Sequence, residues 1–194
     1  MIVTVQHAVA RYGPGEEATD FQPGDFILTH KMKLIPRFIR FAQRMRGRER
    51  KYSHWSHTAM ITGADGSLVE AETKGVIKGN LSQYREVEYH LVKIDAIADD
   101  HDRKQAVAFT ESMLGQPFGV LDGIGLILSL VTGLRLNVSY NSHLVCSALV
   151  ARALERTDAI FDDEPAHMLP ADLARYFNVT GPERSKKPVA AKAG

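Results

Sequence analysis

The sequence has little of what would fix its class at once. It contains a single cysteine, Cys146, among 194 residues, which excludes an intramolecular disulfide framework and a cysteine-rich zinc site. Its formal net charge of +1 gives no overall field that would attract nucleic acid. The longest apolar stretch, residues 124–134, is too short for a transmembrane helix, which takes about 20 residues. No secretory signal pattern opens the chain. We therefore expect a cytoplasmic protein, and nothing in the sequence calls for a cofactor.

What is present suits one compact domain. Hydrophobic residues make up 44% and charged residues 24% of the chain, as in ordinary soluble proteins. We expect a single domain over residues 1–180. Residues 181–194 are rich in lysine, proline and alanine without an apolar period, which is typical of a disordered tail.

The hydrophobic pattern predicts strands in the middle of the chain and helices around them. Alternation and turn residues predict four strands, and the 3.6-residue period predicts three helices. The expected fold class is therefore α+β, with an antiparallel central sheet and helices packed against it. The predicted strands are 25–29, 57–62, 68–72 and 87–94, and the predicted helices are 36–45, 99–114 and 143–156.

Positive charge is concentrated in one segment. Residues 31–51 hold nine of the 24 lysines and arginines and one acid, Glu49. In the predicted helix, Arg37, Arg40 and Arg44 line one side, which is either a solvated face or a platform for an anionic surface. No aromatic residues interleave with these arginines, so we expect no specific nucleic-acid partner. The sequence leaves the oligomeric state open.

Cys146 falls in the first turn of the last predicted helix. There the positive end of the helix dipole and unpaired backbone N–H groups favour a thiolate. The alternative is a small buried residue packed among its apolar neighbours. Its position alone leaves both interpretations open.

A histidine and two carboxylates share one side of a predicted hairpin. The loop at 63–66 has an even length, so it places His57, Glu70 and Glu72 on the same side of the sheet. Burial of these groups is unfavourable unless they pair or take part in chemistry. Register sets Glu72 opposite His57, whereas Glu70 lies on the diagonal and within reach. The apolar residues that share this side are Ala59, Ile61 and Leu68.

Other residues compete for the same roles. His143 lies three residues before the cysteine and could touch the thiol or cap the helix. His54 should face away from His57, toward a loop or the surface. A metal site built from His54, His57, Glu70 and Cys146 is conceivable by ligand type, but no compact ligand spacing supports it.

Four segments, in this order, resemble the circularly permuted papain-like amidases and peptidases, which are relatives of the NlpC-type cell-wall peptidases. The first is Pro-Gly-Asp-Phe-Ile-Leu, and the second contains Ser-His-Trp-Ser-His. The third is Leu-Val-Glu-Ala, and the last is Val-Cys-Ser-Ala-Leu-Val. The segments occupy 23–28, 52–61, 68–71 and 145–150.

The resemblance implies a papain-like fold in permuted order and a cysteine hydrolase that forms an acyl-enzyme. It assigns Cys146 as nucleophile, His57 as base and Glu70 as the third triad member. The chain departs from the family at Ala148, where an acid is common, and in lacking a tyrosine just before the cysteine. Of the oxyanion donors, the backbone N–H of Cys146 is the best candidate.

The implied substrate is an amide or ester in a peptide or a wall polymer. A lipid acyl hydrolase or acyltransferase on the same triad is the first alternative, since an apolar run and a basic helix occur in one chain. A catalytically inactive binding module that retains the fold is the second, because of the departures from the family pattern.

Overall fold

The computed structural model describes residues 8–30, 49–72, 74–117 and 146–182. In these segments the chain forms six strands and three α-helices. The expected α+β class is confirmed, while the permuted papain-like assignment stays a prediction. The strands are β1 (Val9–Tyr12), β2 (Phe26–Thr29), β3 (His57–Ile61), β4 (Ser67–Glu72), β5 (Gly75–Asn80) and β6 (Tyr89–Val92). The helices are α1 (Asp100–Ser112), α2 (Cys146–Leu154) and α3 (Pro170–Tyr176), with short 3-10 helices at Leu81–Tyr84 and Pro165–His167.

The six strands form one antiparallel sheet in the order β1-β6-β2-β3-β4-β5. The four predicted strands correspond to β2, β3, β4 and β6. The strands β1 and β5 were not predicted. β5 contains two glycines and a lysine, which disfavour a strand, but it pairs with β4 along its whole length.

Each face of the sheet has its own apolar cluster because successive side chains of a strand alternate. The first cluster covers the helical face and takes Phe26, Leu28, Met60 and Val92 from the strands, together with residues of α2 and α3. The second cluster covers the opposite face. It contains Ile27, Ala59, Ile61, Leu68, Leu81, Tyr84, Tyr89 and Leu91.

The helix α2 packs against β3 and β4. Eight of its nine residues are buried, and most are alanine, leucine or valine, which suit a helix enclosed on nearly all sides. The hydroxyl of Ser147 donates to the carbonyl of Met168 at 2.6 Å, which ties the first turn of α2 to the chain before α3. This bond anchors the first described turn of α2.

The helix α1 is joined to the sheet by a buried arginine. Asp99 caps the helix with its side chain, in agreement with a predicted start at residue 99. One turn later, the guanidinium of Arg103 contacts the carboxylate of Asp25, which is fully buried, at 2.9 Å. It also contacts the carboxylate of Asp95 at 2.7 Å. A buried carboxylate needs such donors to offset its desolvation.

Several predicted features lie outside the described residues: the basic helix at 36–45, the apolar run at 124–134, the first part of the helix at 143–156, and 183–194 of the predicted tail. Within the described part of the chain, no helix is long and apolar enough to cross a bilayer.

Candidate functional site

The centre of the site is a buried histidine–carboxylate pair. His57 opens β3 and Glu70 lies in β4, and these residues are only 6% and 4% exposed. Nε2 of His57 and Oε2 of Glu70 are 2.5 Å apart. Glu70 therefore engages the Nε2 side of the imidazole ring. The structure thus brings together two of the three residues that the sequence assigned to a triad.

Burial, and not strand register, explains why the diagonal carboxylate of Glu70 makes this contact. The ladder pairs Met60 with Val69 and Ile61 with Leu68, and its continuation sets Glu72 opposite His57. Yet Oε1 of Glu72 lies 3.8 Å from Nε2, and this side chain is 32% exposed. Glu72 ends its strand near solvent, whereas Glu70 is enclosed and must find donors inside the protein.

A third polar group, Tyr84, completes this centre, and sequence reasoning missed it. Its hydroxyl donates to Oε2 of Glu70 at 2.5 Å, and the residue is 2% exposed. Burial raises its pKa well above the usual range, and the neighbouring charge of Glu70 raises it further. The hydroxyl therefore stays protonated and can only donate to the carboxylate.

Local sequence places Tyr84 there. The side chain of Asn80 accepts from the backbone N–H of Ser82 at 3.0 Å and caps the short helix Leu81–Tyr84. The cap turns the chain back over the second apolar cluster, so that Leu81 and Tyr84 face inward. An asparagine followed by two apolar residues three positions apart was the signal that could have revealed this turn.

A glycine in β5 leaves room for the carboxylate. A Cβ atom on Gly79 would lie 2.8 Å from Oε1 of Gln83, 3.0 Å from Cδ1 of Leu68 and 3.1 Å from Oε1 of Glu70. Such contacts are tighter than those of nearly all real side chains, so one of these neighbours would have to move. Gly79, which pairs with Leu68, thus helps to admit Glu70 to this face of the sheet.

Cys146 is placed differently from the pair. It is the first described residue of α2, is 5% exposed, and clusters with Val69, Ala71 and Val76. Val69 and Ala71 alternate with Glu70 along β4, so the thiol packs on the helical face and the carboxylate on the opposite one. Among the described residues, the group whose ligand atoms all lie within 4.8 Å of one another comprises His57, Glu70 and Glu72, without the cysteine.

Electrostatics nevertheless connects the thiol with this centre. The pKa of Tyr84 is raised first by burial and then by Glu70, with smaller contributions from Glu72 and Cys146. The cysteine therefore lies within electrostatic range of the hydroxyl that holds Glu70. The contacts of α2 with β3 and β4 agree with this placement.

The other residues that the sequence suggested for the site are not part of this centre. His54 stacks on His30, with ring centroids 4.2 Å apart, and its Nε2 lies 3.1 Å from Oε2 of Glu88. The metal set that includes His54 is therefore not assembled. His57, Glu70 and Glu72 have the right ligand types for a cation, but their closest atoms already share hydrogen bonds, and we assign no metal. His143 and the three arginines of the predicted basic helix lie outside the described residues.

Comparison with known proteins adds no assignment. The chain matches no family model, and no curated protein matches it significantly.

Proposed function

We propose that this chain is a cysteine hydrolase that cleaves an amide or ester bond through an acyl-enzyme, with Cys146 as nucleophile. The observation that carries the proposal is the buried hydrogen bond between His57 and Glu70. A buried histidine held by a carboxylate is the orienting half of a catalytic triad, since the carboxylate fixes the ring tautomer and stabilises the imidazolium. The resemblance to permuted papain-like enzymes supports the same assignment.

The proposed reaction proceeds in two stages. His57 takes the thiol proton at Nδ1, the thiolate of Cys146 attacks the substrate carbonyl carbon, and the imidazolium returns the proton to the leaving amine or alcohol. The resulting thioester is hydrolysed by water that gives its proton to His57, releasing the carboxylic acid and the thiol. The backbone N–H of Cys146 is the candidate donor to the oxyanion.

The positions of the thiol and of Glu70 constrain where this reaction can take place. The thiol packs on the helical face and Glu70 on the other, so they can meet only through His57, which stands at the start of β3. Cys146 is the first described residue of α2. We infer that the reacting atoms meet at the end of the sheet where β3 begins.

The substrate class is proposed from the sequence resemblance alone. A cell-wall peptide is the first candidate substrate, and a lipid acyl group is the second. Contact with an anionic surface through Arg37, Arg40 and Arg44, and a cytoplasmic location, also stay predictions. A non-catalytic binding module is the second candidate function. The observation that favours it is the apolar surroundings of Cys146, which suit an inert core thiol.

Thiol labelling separates the two candidates. Because the chain has one cysteine, every adduct formed with iodoacetamide in the folded protein reports Cys146. For a hydrolase, the labelling rate should stay high at pH 6, well below about 8.5, where an ordinary thiol ionises. Replacing His57 with Gln should remove this low-pH reactivity, while the exposed His101→Gln control should retain it.

The Cys146→Ser variant should lose hydrolysis of thioester and amide probes and keep its melting temperature. A thiol that reacts only near pH 8.5, or only after unfolding, would contradict the hydrolase and favour the binding-module interpretation.

A further inference from the structure

We propose that Tyr84 is a positioning residue, whose hydroxyl sets the proton affinity of His57 by acting through Glu70. The proposal deepens the proposed function and rests on it for its biological meaning. The physical coupling that it describes can be measured in the protein whether or not the thiol is reactive.

The geometry joins the three residues at a single atom. Oε2 of Glu70 is 2.5 Å from Nε2 of His57 and 2.5 Å from the hydroxyl oxygen of Tyr84. The two rings lie nearly parallel, at 12°, with centroids 6.4 Å apart. One carboxylate oxygen thus accepts hydrogen bonds from both side chains. A change in the strength of one hydrogen bond therefore changes the strength of the other.

The direction of the effect follows from this sharing. A second donor withdraws electron density from the carboxylate and makes it a weaker partner for the imidazolium. Tyr84 remains a donor at every relevant pH because burial and Glu70 both raise its pKa. Removing the hydroxyl should therefore strengthen the His57–Glu70 interaction in the charged state and raise the pKa of His57.

Other titratable groups among the described residues also face the centre. Glu72, on β4, lies 3.8 Å from Nε2 of His57, and Cys146, on α2, acts on Tyr84 at longer range. Tyr89, on β6, has its ring centroid 6.5 Å from that of Tyr84. The partial exposure of Glu72 weakens its influence on the histidine.

A matched pair of variants tests the coupling. Tyr84→Phe removes the hydroxyl that binds Glu70, whereas Tyr89→Phe removes a hydroxyl from the same cluster whose partner is the backbone N–H of Ala18, at 2.8 Å. Imidazole titrations are followed by NMR of ¹⁵N-histidine-labelled full-length protein, with Cys146→Ala as the common background and His57→Gln to assign the signal.

The expected result is a rise of roughly half to one pH unit in the His57 midpoint for Tyr84→Phe, a fraction of what a full charged hydrogen bond contributes. Tyr89→Phe should leave the midpoint in place. Adding Glu70→Gln should abolish the shift, since the carboxylate transmits it. An unchanged midpoint in Tyr84→Phe, or equal shifts in the two Phe variants, would overturn the proposal.

A second substitution keeps the proposal testable if Tyr84→Phe does not fold. Site-specific 3-fluorotyrosine at position 84 keeps the ring and hydroxyl but makes the phenol a stronger donor, so the His57 midpoint should fall. A midpoint that stays or rises would contradict the proposed coupling. Failure of the low-pH labelling of Cys146 would refute the hydrolase while leaving this titration result intact, so the two failures can be told apart.

Discussion

The two carboxylates near His57 offer a decisive comparison because they differ in contact and burial but not in chemistry. Glu70→Gln preserves the shape of a side chain that is 2.5 Å from Nε2 and almost fully enclosed. Glu72→Gln makes the same chemical change at 3.8 Å, on a side chain that is 32% exposed. We expect the first variant to lose most of the catalytic rate and the second to keep it.

The magnitudes follow from the environments of the two groups. A hydrogen bond to a charged partner contributes about 1.5–3 kcal/mol when buried, and the side-chain amide in Glu70→Gln can still accept a bond but cannot stabilise imidazolium charge. This loss corresponds to a rate lower by roughly ten- to a hundredfold. A partly exposed pair contributes about 0–1 kcal/mol, so Glu72→Gln should lower the rate by less than about fivefold.

The assay is the pH dependence of iodoacetamide labelling at the sole cysteine, together with turnover of a thioester probe and a thermal melt for each variant. Glu70→Gln should suppress labelling at pH 6 while the protein remains folded, and Glu72→Gln should follow the wild-type profile. Equal losses in both variants would show that the site responds to net charge rather than to the contact. If Glu72→Gln alone lost activity, our assignment of Glu70 would be wrong.

Two further predictions concern stability. Arg103→Met leaves the fully buried carboxylate of Asp25 without its cation, so it should lower the free energy of unfolding, measured in urea, by about 3–5 kcal/mol. Asp95→Asn changes a carboxylate that is 58% exposed and should lower it by less than about 1 kcal/mol. Similar losses in the two variants would contradict the buried-charge explanation. Burial, followed by Arg11 and His54, lowers the pKa of His90 to about 4, so the unfolded chain takes up a proton below about pH 6.5 that the folded chain resists until about pH 4. Stability should therefore fall by roughly 3 kcal/mol across that window, and His90→Gln should flatten the profile of unfolding free energy against pH; an unaltered slope would show that other groups dominate.

Sequence reasoning predicted the central strands because their alternation is clear and a glycine-rich hairpin separates β3 from β4. It missed β5, where Gly75, Lys78 and Gly79 oppose strand formation. That strand forms because the free edge of β4 supplies a partner for each of its residues. Pairing of this kind depends on distant residues, so local propensity could not predict it.

The site was predictable to the extent that strand parity determines it. Parity placed His57, Glu70 and Glu72 on one side, but register alone favoured Glu72. The choice of Glu70 came from the family resemblance, and the structure supplies the physical reason, which is the hydroxyl of Tyr84. That residue follows the unpredicted β5, so the second donor to Glu70 was missed, although the Asn80 cap could have indicated the turn that carries it.

The position of His57 at the first residue of β3 reconciles two demands that the proposed function makes. Glu70 needs an enclosed face, because only there do two donors to one oxygen hold it firmly and keep its charge from being screened by water. The thiol is carried by α2, which packs on the other face. A histidine in the middle of β3 would point to one face only, and the sheet would separate it from the thiol. With His57 at the end of the strand, the proposed function has Nε2 bound to Glu70 and Nδ1 directed to the thiol, so that one ring serves groups anchored on both faces.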